Sequence, residues 1–126
     1  MLKKIKMILH KKNLRKLYDC FKGLPPFNDL RMPPARKVTF EVVEDPDNYG
    51  MFIPFPMRIQ ISTECSTFYQ ICDTLLHEMI HLHLFYNGHN DYNQHEKKFA
   101  IYSKNICDNL KLSSKHFDWQ NAKFLV

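Results

Sequence analysis

Residues 63–87 read TECSTFYQICDTLLHEMIHLHLFYN. Phe68, Ile71, Cys72, Leu75, Met79 and Leu82 recur at three- and four-residue spacing, the period of a helix. Leu76, Ile80 and Leu84 lie off that stripe. A helix that is apolar on most of its sides has neighbours on most of its sides, so this segment is expected to run through the middle of the fold. Ser62 or Thr63 is placed to cap its start. Asn87-Gly88 is placed to end it.

Upstream, KVTFEVVE (37–44) alternates and is β-branched, which predicts a strand. DPDNYG (45–50) carries the residues of a chain reversal. MFIPFPMRIQIS (51–62) predicts two short strands broken near Pro54 and Pro56, which places the break at an edge or turn. Leu2, Ile5, Leu9, Leu14, Leu17, Tyr18 and Phe21 predict a helix within 2–22, stopped by Gly23 and Pro25-Pro26. Residues 23–36 read as an irregular connector. Downstream, a polar loop over 87–93 leads to a second helix over about 94–110, with Phe99, Tyr102, Ile106 and Leu110 on one face. In the tail, Phe117, Trp119 and Phe124 are expected to dock on the core.

The order predicts an α+β fold: an N-terminal helix, a small antiparallel sheet, the central helix and a second helix. With 126 residues and 44% hydrophobic composition, one domain is expected, with a basic extension over 1–13, a core over 14–110 and a tail over 111–126. No apolar run approaches the roughly 18 residues of a membrane span. MLKKIKMILHKK at the start lacks the apolar stretch and cleavage site of a signal peptide. Cys20, Cys65, Cys72 and Cys107 form no C-x-x-C pair, so buried thiols in a reducing, cytoplasmic compartment are expected. Residues 1–22 carry eight Lys/Arg against Asp19, a net +7 that leaves the remainder at −2. The basicity is read as a property of the N-terminal segment. It suits phosphate contacts with nucleic acid, an anionic membrane surface, or simply a solvated helix face.

Five of the seven histidines lie within 77–99: His77, His81, His83, His89 and His95. His77-Glu78-Met79-Ile80-His81 is H-E-x-x-H. Residues four apart stack on one helix face, so the two imidazoles converge on one zinc ion at about 2.0–2.1 Å each. Glu78 is then within reach of the water that such an ion acidifies, and it is the candidate catalytic base. In a chain of this composition the pattern arises by chance roughly once or twice in a hundred sequences. Asp73, one turn before His77, is a candidate carboxylate partner for a ligating imidazole. Tyr92, Tyr102 and His89 are candidate donors to an oxyanion.

A catalytic zinc needs a third protein ligand. His83 is turned roughly 200° from His81 around the helix and is read as packing. The short-spaced H-E-x-x-H-x-x-G-x-x-H pattern is excluded, because Leu84 and Asn87 stand where Gly and His are required. Three candidates remain. His95 ranks first, because it opens the second helix and Phe99 can anchor that helix in the core. Glu96 and His89 follow.

LLHEMIHLHL and GHNDYNQHEKKF, with LRKLYDCFKGLPP and YGMF…MRIQIS upstream, resemble the SprT-like metallopeptidase family over roughly residues 14–110. The resemblance implies a zinc-dependent endopeptidase, with His77, His81 and His95 as zinc ligands and Glu78 as acid/base. It also implies substrates that are proteins bound or crosslinked to DNA, and so a nucleoid association. Glu96 stands where the family has glycine, and Leu82 where it often has a small residue. The C-terminal zinc-ribbon cysteines of many relatives are absent.

The expected function is therefore peptide-bond hydrolysis with Zn2+ as cofactor, a protein or peptide as substrate, DNA contact through the basic segment and no membrane span. YGMFIPFPM is expected to offer a strand edge to the substrate, with Met51, Phe52, Ile53 and Phe55 supplying apolar pockets. The alternative is a nucleic-acid-binding or adaptor domain with a structural zinc and no proteolysis.

Overall fold

The structure is a computed structural model that describes residues 9–95 and 97–110. Helix α1 spans Lys11–Lys22, β1 Thr39–Val43, β2 Gly50–Ile53, β3 Arg58–Ser62, α2 Phe68–Tyr86 and α3 Lys97–Leu110. Short 3-10 turns at Phe27–Asp29 and Ala35–Lys37 interrupt the proline-rich connector. The α+β class stands. The expected docking of Phe117, Trp119 and Phe124, and the positions of Leu2 and Ile5, lie outside the described residues.

The sheet is mixed rather than antiparallel. Its order is β1-β3-β2, with β1 parallel to β3 and β2 antiparallel to it. The most buried strand takes the centre, with Ile59, Ile61 and Ser62 fully buried. The loop from β1 to β2 then has to cross the end of β3. Ser62 holds it there: its hydroxyl donates to Asp45 O at 2.6 Å and accepts from the Glu64 amide at 3.1 Å. The Ser62 and Thr63 amides donate to Tyr49 O and Val43 O. Asp45 closes the reversal by accepting from the Asp47 and Asn48 amides, which hold its carboxyl below the usual range.

Those contacts also correct the start of the central helix. Ser62 and Thr63 are spent on ending β3, so α2 begins five residues later. Its cap is Thr67, whose hydroxyl accepts from the Gln70 amide at 3.1 Å. Asn87 ends the helix, and Gly88 follows with φ of 80°. Every residue of α2 from Thr74 to Leu84 is buried, as its all-round apolarity predicts.

Helix α1 packs through Leu14 and Tyr18 at i, i+4. Tyr18 stacks on Phe40 at 5.3 Å and donates to Pro33 O. Lys11, Lys12 and Asn13 belong to this helix, which His10 caps. The strand nearest the histidine motif is β2, and Gly50 allows it. A Cβ at that position would stand 2.4 Å from Thr74 Cγ2 on α2 and 3.0 Å from Gln60 O. Glycine thus sits at the head of a strand, for close packing, rather than in the reversal that its neighbours suggest.

Candidate metal centre

One turn of α2 carries His77 and His81 on the same face, and the segment entering α3 brings His95 against them. The three Nε2 atoms form a triangle with sides of 3.1, 3.1 and 3.2 Å. Two nitrogens on one tetrahedral zinc, each at about 2.0–2.1 Å, stand about 3.3 Å apart. Hydrogen bonds among themselves cannot satisfy three such atoms. Each is either bare or protonated, so around a ring of three at least one neighbouring pair is alike and repels. A cation removes the conflict, since all three then turn lone pairs inward.

A second contact sets the tautomer. His81 Nδ1 lies 2.6 Å from Tyr92 O, so this nitrogen donates and Nε2 is left bare. Below the triangle, the buried Phe99 ring sits 4.7–4.8 Å from each of the three imidazoles. The donor set fits a metal ion, and His77, His81 and His95 form one group able to hold it.

The SprT-like family model matches residues 53–116, half of the chain, from the end of β2 through both ligand-bearing segments. The chain belongs to the SprT-like family. No curated protein and no solved structure gives a match. The family is metallopeptidase-like, and the three-histidine group is compatible with that class.

Within this SprT-like frame, Glu78 is fully buried, with Oε2 at 4.0 Å from His77 Nε2. Burial raises its pKa well above the usual carboxylate value, and the Phe52 backbone amide of β2 opposes that only in part. Neither carboxylate oxygen has a partner at full hydrogen-bond geometry among the described residues. It is a carboxyl group held dry beside the metal ligands, the environment that raises proton affinity in a general base.

The remaining predicted residues separate. His83 is buried on the far side of α2, where Nδ1 donates to Arg31 O at 3.0 Å and Nε2 accepts from Tyr102 at 3.3 Å. Burial lowers its pKa, so it packs as a neutral ring. Tyr102 is thereby taken away from the oxyanion role. His89 is also held elsewhere: Lys98 donates to its Nδ1 at 3.0 Å and to Asp91 at 3.2 Å, clamping the loop to α3. Of the three candidate donors only Tyr92 lines the cleft at His81. Asp73 lies near α3: the Cys107 thiol there has its pKa raised first by burial, then by Asp108, with Asp73 adding to both. Glu96 lies outside the described residues. The second helix begins at Lys97 rather than at about 94, so His95 precedes α3 instead of opening it.

All four cysteines are free. Cys65 is buried against Thr74 Oγ1 and Tyr49 O, whereas Cys20 is exposed on α1 rather than buried. Sequence reasoning missed the Tyr92 carbonyl, since any residue supplies one and no side chain signals it. It also missed the closeness of Gly50 to Glu78, although a glycine at the head of a strand is itself a signal of close approach.

Proposed function

We propose that the protein is a cytoplasmic zinc-dependent endopeptidase acting on DNA-associated proteins. The observation that carries the peptidase reading is the Nε2 triangle with the buried Glu78 carboxyl beside it. Zinc bound there would polarise the scissile carbonyl and acidify the attacking water. Glu78 takes a proton from that water and passes it to the leaving amine. A structural zinc is closed by four protein ligands. The group here has three members among the described residues, which favours catalysis over the adaptor reading.

The approach is from the side of β2. Its outer edge has no strand beside it among the described residues, because β3 lies on the other side. Beside it, Phe52, Phe85 and Tyr92 are in mutual ring contact, and the exposed Phe55 meets Phe85 edge to face at 5.2 Å. An extended peptide lying along this edge would find backbone partners and apolar surface together. The test is cleavage of a denatured, unstructured protein by the zinc-loaded chain. Chelation should abolish cleavage, and zinc should restore it. Cleavage that survives exhaustive chelation would overturn the reading.

A groove of about 410 Å³ on the opposite edge of the sheet supports the DNA association. Lys11, Lys12 and Arg15 of α1 line it together with Arg36 from the turn before β1. None of the four forms an ion pair among the described residues. The fourth cation comes from outside the N-terminal segment, so the basic surface belongs to the fold as well as to the chain's start. We propose that phosphates of the DNA backbone occupy it. Each cation reversed to Glu should lower the salt slope of affinity for a short DNA duplex by about 1. A Lys12→Glu/Arg15→Glu/Arg36→Glu variant that binds as wild type at two salt concentrations would remove this role. Four free cysteine thiols support the cytoplasmic placement.

A further inference from the structure

A small cleft opens beside the histidine triangle. Phe52 of β2, His81 of α2, and Tyr92 and Asn93 of the following loop line it, and its volume is about 50 Å³. It is continuous with the centre, because His81 is both a wall of the cleft and a corner of the triangle. It is also continuous with the β2 edge through Phe52. Two of its wall residues, Phe52 and Tyr92, are in edge-to-face ring contact with centroids 6.1 Å apart, so each holds the other in place as a wall of the cleft. Tyr92 is held at both ends: its carbonyl accepts from His81, and its ring packs on Phe85 at 5.2 Å.

We propose that this cleft is a side-chain subsite that limits the substrate residue flanking the scissile bond to a small one. The inference rests on the peptidase reading and adds the substrate class. A water needs about 10–15 Å³ of such space, so the cleft takes roughly four heavy atoms. Gly, Ala, Ser, Val and Leu side chains fit. Phe, Tyr and Trp do not. The walls carry no charge of their own beyond the imidazole, so Asp, Glu, Lys and Arg gain no partner there and lose their hydration. The preferred substrate is therefore an extended chain with a small, uncharged residue at the cut. Such residues are common in unfolded segments, which gives broad cleavage with a size ceiling.

Two variants move that ceiling in opposite directions. Tyr92→Ala removes a wall while keeping the backbone carbonyl that His81 uses. Asn93→Trp adds bulk at an exposed position where folding is not at stake. The probe is a degenerate decapeptide library, with cleavage sites read by mass spectrometry. Wild type should cut next to Ala or Val at least tenfold more often than next to Phe or Trp. Tyr92→Ala should bring that ratio close to one, and Asn93→Trp should confine cutting to Gly and Ala. Equal cutting at Trp and Ala by wild type, or unchanged profiles in both variants, would overturn the proposal. A binding arm separates this from the peptidase reading. Glu78→Gln protein should bind a fluorescent Gly-Ser decapeptide with a central Ala at least fivefold tighter than the same peptide with Trp. If wild type cuts nothing yet this preference holds, hydrolysis fails and the subsite stands. If wild type cuts without preference, the subsite fails and hydrolysis stands.

Discussion

Glu78→Gln protein binds zinc as wild type does and cleaves peptides about 10²–10⁴-fold more slowly, the range lost when a positioned acid/base is removed. The replacement keeps the shape of a side chain that is fully buried, with Oε2 where a Cβ on Gly50 would meet it at 3.4 Å. Packing between β2 and α2 is therefore preserved. What goes is the proton acceptor. The loss corresponds to about 3–5 kcal/mol of barrier and should appear in kcat, since Glu78 takes its proton only as the water attacks. Steady-state rates on a quenched peptide, with zinc content measured on the same preparation, check it. Wild-type turnover in the variant would refute the role given to Glu78.

His95→Ala lowers zinc affinity by more than about 10²-fold, beyond the 10–100-fold typical of losing a group that only hydrogen-bonds to a ligand, while His89→Ala leaves it unchanged. The two histidines sit on the same connection, six residues apart in sequence, but the fold sends them to different places. His95 Nε2 stands 3.1 Å from both His77 and His81. His89 instead accepts from Lys98 on the outer surface. Competition with a chromophoric chelator measures the affinity. Thermal unfolding gives an independent readout: zinc should raise the Tm of wild type and of His89→Ala, because binding to the folded state adds to its stability. His95→Ala should show little of that rise. Equal zinc affinity in the two variants would reopen the choice of third ligand.

The central helix was legible because its signal is local. A period near 3.6, with apolar residues on most sides, needs no knowledge of the neighbours to imply that neighbours exist. The pair His77 and His81 was legible for the same reason, since helix geometry alone sets their stacking. Phe99, four residues after His95, points to His95 as the third ligand, and its ring packs against all three imidazoles. The sheet was less legible. Alternation identifies a strand but says nothing about which strand lies beside it. Here the parallel partnership of β1 and β3 depends on a loop crossing that Ser62 secures. The same serine, read locally, looked like a helix cap.

Taken alone, then, the amino-acid order determined the α+β class, the helix that stacks two imidazoles, the glutamate between them and the breaks at Pro54, Pro56 and Asn87-Gly88. Each follows from interactions within a few residues. Tertiary structure decided the rest: which histidine completes the triangle, that Tyr92 O sets the tautomer of His81, that β2 rather than β1 covers Glu78, and that Arg36 joins Lys11, Lys12 and Arg15 around one groove. These depend on groups 11 to 28 positions apart in the chain meeting in space. Backbone carbonyls, a missing Cβ and a cation on a remote turn have no periodicity, so their roles appear only once the chain is packed.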